Sequence, residues 1–109
     1  MKHDKSYYST YTIYTEHTDV TGVVYHGNYF SFCDMSLAKV LAETDLNPHR
    51  DYPAKVNCSF LSPALLGDVV VVKTDIASAD QDSVTVGHVI TNKDSGNILF
   101  KATHTIKIS

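Results

Sequence analysis

Cations are scarce in this 109-residue chain: nine Lys and Arg stand against twelve Asp and Glu, a formal net charge of −3. No basic cluster exceeds two residues, and His49-Arg50 is the densest. A duplex-binding surface needs a cationic face, so nucleic acid is not the expected partner. Long apolar runs are missing as well. No stretch approaches the ~18 apolar residues of a membrane span. The opening Met1–Ser6 is polar and holds no apolar signal core. The expectation is a cytoplasmic protein with no membrane span.

Cysteine is limited to Cys33 and Cys58. Neither has a second ligand at short spacing, and the six histidines offer none either, so no metal site is expected. Both cysteines sit in apolar patterns and read as small buried hydrophobes. A disulfide between them stays open. Repeats, low-complexity tracts and linkers are absent. The length suits one domain and is too short for two, so one domain over 1–109 is expected. At 43% hydrophobic and 19% charged residues, the composition is that of a globular chain rather than a disordered one.

Residues 7–16 are rich in Tyr and Thr and predict a strand. Residues 17–27, with Gly22 and Gly27, form a connection. Residues 28–44 contain no Gly or Pro and predict a helix, with Asn28 as a plausible N-cap. Apolar side chains cover most of that helix and leave a narrow polar stripe of Ser31, Lys39 and Glu43. A helix so apolar is buried on several sides, by a curled sheet or a partner subunit. Pro48 disfavours helical geometry at Asn47 and ends the element.

The rest alternates. Ala54, Val56, Cys58 and Phe60 alternate with Lys55, Asn57 and Ser59. A turn over 62–68 precedes a β-branched strand from Val69 to about Ser78. Residues 83–91 form another strand, interrupted by Gly87. A hairpin-type turn over 92–97 leads to a last strand over 98–108. Short turns make antiparallel neighbours. The fold class is therefore α+β: a five-stranded antiparallel sheet wrapped around one long central helix.

Two motifs stand out. One is Thr18-Asp19-Val20-Thr21-Gly22-Val23-Val24-Tyr25-His26-Gly27-Asn28-Tyr29-Phe30: a lone acid, a Gly-containing turn and a helix start. A carboxylate beside free helix N–H groups suits attack on a carbonyl, because the acid supplies or activates a nucleophile and the amides stabilise the oxyanion. The other is Phe60-Leu61-Ser62-Pro63-Ala64-Leu65-Leu66-Gly67-Asp68. In this order, flanking a helix of suitable length, they resemble the hotdog-fold thioesterases, specifically the 4-hydroxybenzoyl-CoA thioesterase family with its Tol–Pal-associated acyl-CoA thioesterases. The resemblance covers about residues 10–108.

The resemblance implies hydrolysis of an acyl-CoA or acyl-carrier-protein thioester, without a cofactor, by a homodimer or homotetramer with sites at the subunit interface. An open edge strand would favour such pairing. Asp19 takes the place of the family's catalytic carboxylate, as general base or nucleophile. His26 contributes its backbone amide to the carbonyl and its side chain as an assistant. Gly22, Tyr25, Tyr29, Ser59, Phe60 and Leu61 fall on the substrate-binding side.

Four features depart from the family pattern. His17 replaces an acid two residues before Asp19, and Asp34-Met35-Ser36-Leu37 replaces a charged helix run. The helix-to-strand connection is short. The 79–83 turn is acidic where coenzyme A phosphates call for cations, which favours a carrier protein. Two rival readings stand beside the hydrolase. One is a hotdog hydratase or lyase, suggested by Asp45-Leu46-Asn47-Pro48-His49-Arg50-Asp51. The other is a non-catalytic module that binds acyl thioesters. Bare of its motif, Asp19 reads as a turn residue. His17 reads as a turn residue or a partial stand-in for the missing acid, and His88 and His104 as satisfied core histidines.

Overall fold

A computed structural model describes residues 6–43, 55–79 and 82–107. The predicted 45–51 segment, the end of the predicted helix and part of the acidic turn lie outside these residues. Strand β1 (Ser6–Thr12) is followed by a short 3-10 turn (Thr15–His17) and helix α1 (His26–Glu43). Strands β2 (Lys55–Phe60), β3 (Val69–Ala79), β4 (Ser83–Asn92) and β5 (Ile98–Lys107) complete the order. All five strands join one sheet in the order β1-β3-β4-β5-β2, with every neighbouring pair antiparallel. This is the expected hotdog arrangement, with the helix on one face of the sheet.

Three boundaries depart from the sequence expectation. β1 stops at Thr12 instead of running to residue 16: Ile13 N–H still meets the Asp68 carbonyl in register at 2.8 Å, but the Ile13 carbonyl takes the Gly67 amide, one residue out of register, and the 3-10 turn follows. The helix starts at His26, two residues before Asn28, whose side chain does not cap it. Gly87 does not interrupt β4; it pairs in register with both Asp75 and Thr103.

Alternation sorts each strand into an inner and an outer row. Val70, Val72 and Ile76 of β3 are buried, as are Val84, Val86 and Ile90 of β4. Burying one such aliphatic side chain stabilises the fold by roughly 1.5–3 kcal/mol. They form two apolar clusters. The first gathers Tyr29, Phe32 and Cys33 of the helix with Val70, Val72, Ile90, Phe100 and Ala102. The second gathers Leu37 and Val40 with Ile76, Val84, Val86 and Ile106.

Between the clusters runs a buried polar belt, one residue from each long strand. Thr74 Oγ1 lies 2.9 Å from His88 Nδ1, and His88 Nε2 lies 3.3 Å from His104 Nδ1. The two histidines are thus satisfied core residues, as expected. The hairpin after β4 is set locally: the Asn92 side chain accepts the amides of Asp94 and Ser95, and Gly96 takes a positive φ of 75°.

β2 is an edge strand, and every residue in it is exposed. Cys58 is therefore exposed and not the buried hydrophobe its alternation predicts. Its row, Val56, Cys58 and Phe60, pairs with the inward His104, Ala102 and Phe100, but the helix packs over β3 and β1. Alternation gave the right face; the start of the helix reaches Phe60, while Val56 and Cys58 stay exposed. Cys33 is fully buried, and both thiols are free.

Candidate active site

The loop before the helix is a tight hairpin closed on itself. Asp19 N–H donates to the Val23 carbonyl at 2.9 Å, Gly22 N–H returns to the Asp19 carbonyl at 3.1 Å, and Thr18 bridges Val24. Gly22 sits at φ 82°, a region that costs a side-chain-bearing residue strain. The Asp19 carboxylate is tied into the same turn. Its Oδ1 accepts the Thr21 amide at 2.8 Å, the Thr21 hydroxyl at 2.5 Å and the Val23 amide at 3.2 Å. These bonds, the Thr21 hydroxyl foremost, hold the Asp19 carboxyl below the usual carboxylate range.

Two fasteners join this loop to its surroundings. On one side, the His17 carbonyl accepts both Tyr25 N–H at 3.0 Å and the Asn28 side-chain amide at 2.7 Å. The His17 ring itself packs edge-on against Phe32 and accepts the Tyr14 amide at Nδ1. Its role is therefore to brace the loop, not to act as an exposed turn residue. On the other side, Val24 N–H donates to Ala64 O at 3.0 Å, Leu66 N–H to Gly22 O at 2.8 Å, and Val23 bridges Leu65. Tyr29 closes the second side: its hydroxyl accepts the Ala64 amide at 2.9 Å. Burial pushes the Tyr29 phenol above its ordinary value.

The two motifs thus meet at the start of α1, around a cavity of about 210 Å³. Val23, Val24, His26, Tyr29, Phe60, Leu61, Ser62 and Pro63 line it. The amides of His26 and Gly27 open the helix and by position have no acceptor within it. A Cβ built on Gly27 would meet nothing within 4 Å, so that stretch of backbone is open to approach. His26 stacks on Phe60 at 4.2 Å between ring centroids, and Phe60 also packs against Phe100, Tyr29 and Phe30. The result is an aromatic wall beside a helix N-terminus whose dipole favours developing negative charge.

Of the residues singled out from sequence, His26, Tyr29, Phe60 and Leu61 come together in this cavity. Asp19 stands one bond behind it, through the Val23 amide. Gly22 shapes the turn and Tyr25 is exposed beside it; neither lines the cavity. Ser59 alternates to the other face, in register with Lys101. There it borders a wider groove of about 460 Å³ along the row Asp75, Gly87, Thr103 and Asn57. That groove contains neither a helix start nor Asp19 or His26. Sequence reasoning passed over Val23, Val24, Ser62 and Pro63 as lining residues, although the two motifs contain all four. Among the described residues, no group of three or more His, Cys, Asp or Glu could hold a metal ion, and no helix is long and apolar enough to cross a membrane.

Known proteins resemble this chain in sequence and in fold. The model of the thioesterase superfamily matches residues 21–99. The acyl-CoA thioesterase YbgC of Helicobacter pylori is 31% identical over 68 residues, which are 59% of this chain and 51% of that protein. The chain spans about half the length of the curated relatives it matches. Among solved structures, the 4-hydroxybenzoyl CoA thioesterase of Pseudomonas sp. strain CBS-3 superimposes with a TM-score of 0.81 at 21% identity, covering 94% of this chain and 84% of that one. A Streptococcus pneumoniae TIGR4 hypothetical thioesterase protein solved with coenzyme A gives 0.84 at 21% identity, covering 100% and 82%. At such identities these structures speak for the fold. The family match begins two residues after Asp19; it takes in every residue lining the cavity and more than half of the chain, which belongs to the thioesterase superfamily.

Proposed function

We propose that the chain hydrolyses acyl thioesters, of coenzyme A or of an acyl carrier protein, with Asp19 as the acting carboxylate. The observation that carries this reading is the opening of α1 onto a cavity, with Asp19 tied to the cavity wall through Val23. The thioester carbonyl would sit against the amides of His26 and Gly27. Water, activated by the Asp19 carboxylate, would add to the carbonyl carbon and hand its proton to the carboxylate. The oxyanion that forms would face the helix N-terminus. Collapse of the intermediate breaks the carbon–sulfur bond, and the leaving thiolate takes up the proton. Direct attack by the carboxylate, followed by hydrolysis of the anhydride, needs the same group in nearly the same place.

Relatives named for acyl-CoA and for 4-hydroxybenzoyl CoA support a coenzyme A thioester as substrate. The wall of Phe60, Tyr29 and Phe30 gives the acyl group an apolar surface. The exposed β2 edge supports a homodimer, sheet beside sheet, in which a second copy would extend the wall. Cytoplasmic location is part of the same proposal. A second reading, a module that binds acyl thioesters without cleaving them, draws on one observation: Asp19 Oδ1 is committed to its own turn.

Thiol release from a panel of aliphatic and aromatic acyl-CoA thioesters, with Asp19→Asn alongside, tests the proposal. Asn keeps the side-chain oxygen that closes the turn, so the fold should persist. Turnover should fall by about a hundredfold or more. Undiminished turnover in the variant removes Asp19 from the chemistry. No turnover of either coenzyme A or carrier-protein thioesters by the intact chain leaves the binding module.

A further inference from the structure

One side chain at the turn has no part in the scheme above. Thr21 donates twice to Asp19, through its amide at 2.8 Å and its hydroxyl at 2.5 Å. Both bonds, and the Val23 amide bond, end on Oδ1. Among the described residues no hydrogen bond falls on Oδ2. The two amides alone would close the turn, because an Asp side chain commonly accepts from the backbone two residues on. The hydroxyl is an addition to that turn, and it is charge-assisted, the stronger kind of hydrogen bond.

We propose that Thr21 is a positioning residue for hydrolysis: its hydroxyl pins Oδ1 and leaves Oδ2 as the oxygen that attacks the thioester or takes the proton from water. This rests on the reading of Asp19 as the acting carboxylate. The two amides hold Oδ1 from the backbone side; the hydroxyl, the shortest of the three bonds, restricts the rotation about the last torsion that they leave and that would present either oxygen at varying angles. A pinned carboxylate offers a single oxygen in a fixed direction, which is what a reacting geometry demands. The same bond lowers the basicity of the group, so the carboxylate stays ionised further into the acid range.

Among the described residues no ion supplies these effects. The charged or titratable groups on the elements around Asp19 are Tyr14, Glu16 and His17 at the 3-10 turn, Tyr25, His26 and Tyr29 at the helix start and Asp68 in the 62–68 turn. Asp19 forms no ion pair with any of them. Thr21 is exposed, so replacing it disturbs no core.

The test is kcat and KM across pH for Thr21→Val and Thr21→Ser, with Asp19→Asn measured on the same thioester and melting temperatures checked for all. Valine keeps the shape and removes the hydroxyl. The expected result is a kcat lower by about three- to tenfold, the kinetic equivalent of one hydrogen bond. The acid limb of the kcat profile should move to higher pH while KM stays put, and serine should restore both. A Thr21→Val enzyme with the wild-type limb and kcat overturns the proposal. So does a loss confined to KM, or a serine variant that fails to restore activity. If Asp19→Asn itself keeps turnover, the reading of Asp19 fails first; if only Asp19→Asn is impaired, the role of Thr21 alone is refuted.

Discussion

Acidification strikes this fold at the belt of Thr74, His88 and His104. His88 is almost fully buried, and burial with the neighbouring His104 pushes its pKa down from 6.5 to about 4. Burial also lowers His104, while the charge of Asp34 pulls the other way. The sign follows from which state takes up the proton first. The unfolded chain protonates these rings near pH 6.5, and the folded chain resists until lower pH. The stability due to neutral His88 is thus complete above 6.5, declines as pH falls, and is exhausted near pH 4.

Protonation that is held off from 6.5 down to about 4 corresponds to about 3 kcal/mol for His88. That is a large part of the 5–15 kcal/mol typical of a small domain. Urea unfolding at several pH values between 7.5 and 4.5, for the wild type and His88→Gln, measures it. Carboxylates titrate in both proteins, so the difference in slope isolates the histidine. Below pH 6 the wild type should lose about 1.4 kcal/mol per pH unit more than the variant, the value for one proton. Equal slopes would refute the reasoning, whatever the absolute stabilities.

Two further outcomes are expected. Tyr29→Phe leaves the Ala64 amide, buried, without its acceptor, and should cost about 1–3 kcal/mol in urea unfolding. Iodoacetamide should modify at most one of the two thiols in the folded chain. Cys33 is fully buried, with its pKa pushed up to about 12, and should react only as the chain unfolds.

Much of the fold could be read from local pattern. The valines of β3 and the inward row of β5 announce half-buried strands, and Asn92 with Gly96 announces a hairpin. Patterns failed where a distant group decides. Tyr14 and Thr15 are good strand formers, yet the chain turns there because the His17 amide donates to the Tyr14 carbonyl and the His17 ring receives the Tyr14 amide. Asn28 has the chemistry of an N-cap, but its side chain reaches His17, eleven residues back. Cys58 occupies an inward position, and only the placement of the helix determines that it is uncovered.

At the site the same division holds. The Gly-containing turn at Asp19 is a local signal, and so is the apolar helix start at Tyr29. The meeting of the two motifs through the Val23–Leu65 bridge is a long-range fact that spacing does not contain. The lining residues Ser62 and Pro63 follow from it. Thr21 carried no signal of its own, since a Thr in a turn is ordinary until its hydroxyl is seen on the carboxylate.

The polar belt also partitions the molecule's tolerance for change. Volume errors in a close-packed interior propagate through touching side chains, and residues that share no partner respond independently. The cluster of Leu37, Val40, Ile76, Val84, Val86 and Ile106 is separated from Tyr29 and Ala64 by Thr74, His88 and His104. Substitutions in that far half spend stability without moving the walls of the cavity. The chain can therefore accumulate sequence drift at one end of its core while the other end keeps its shape.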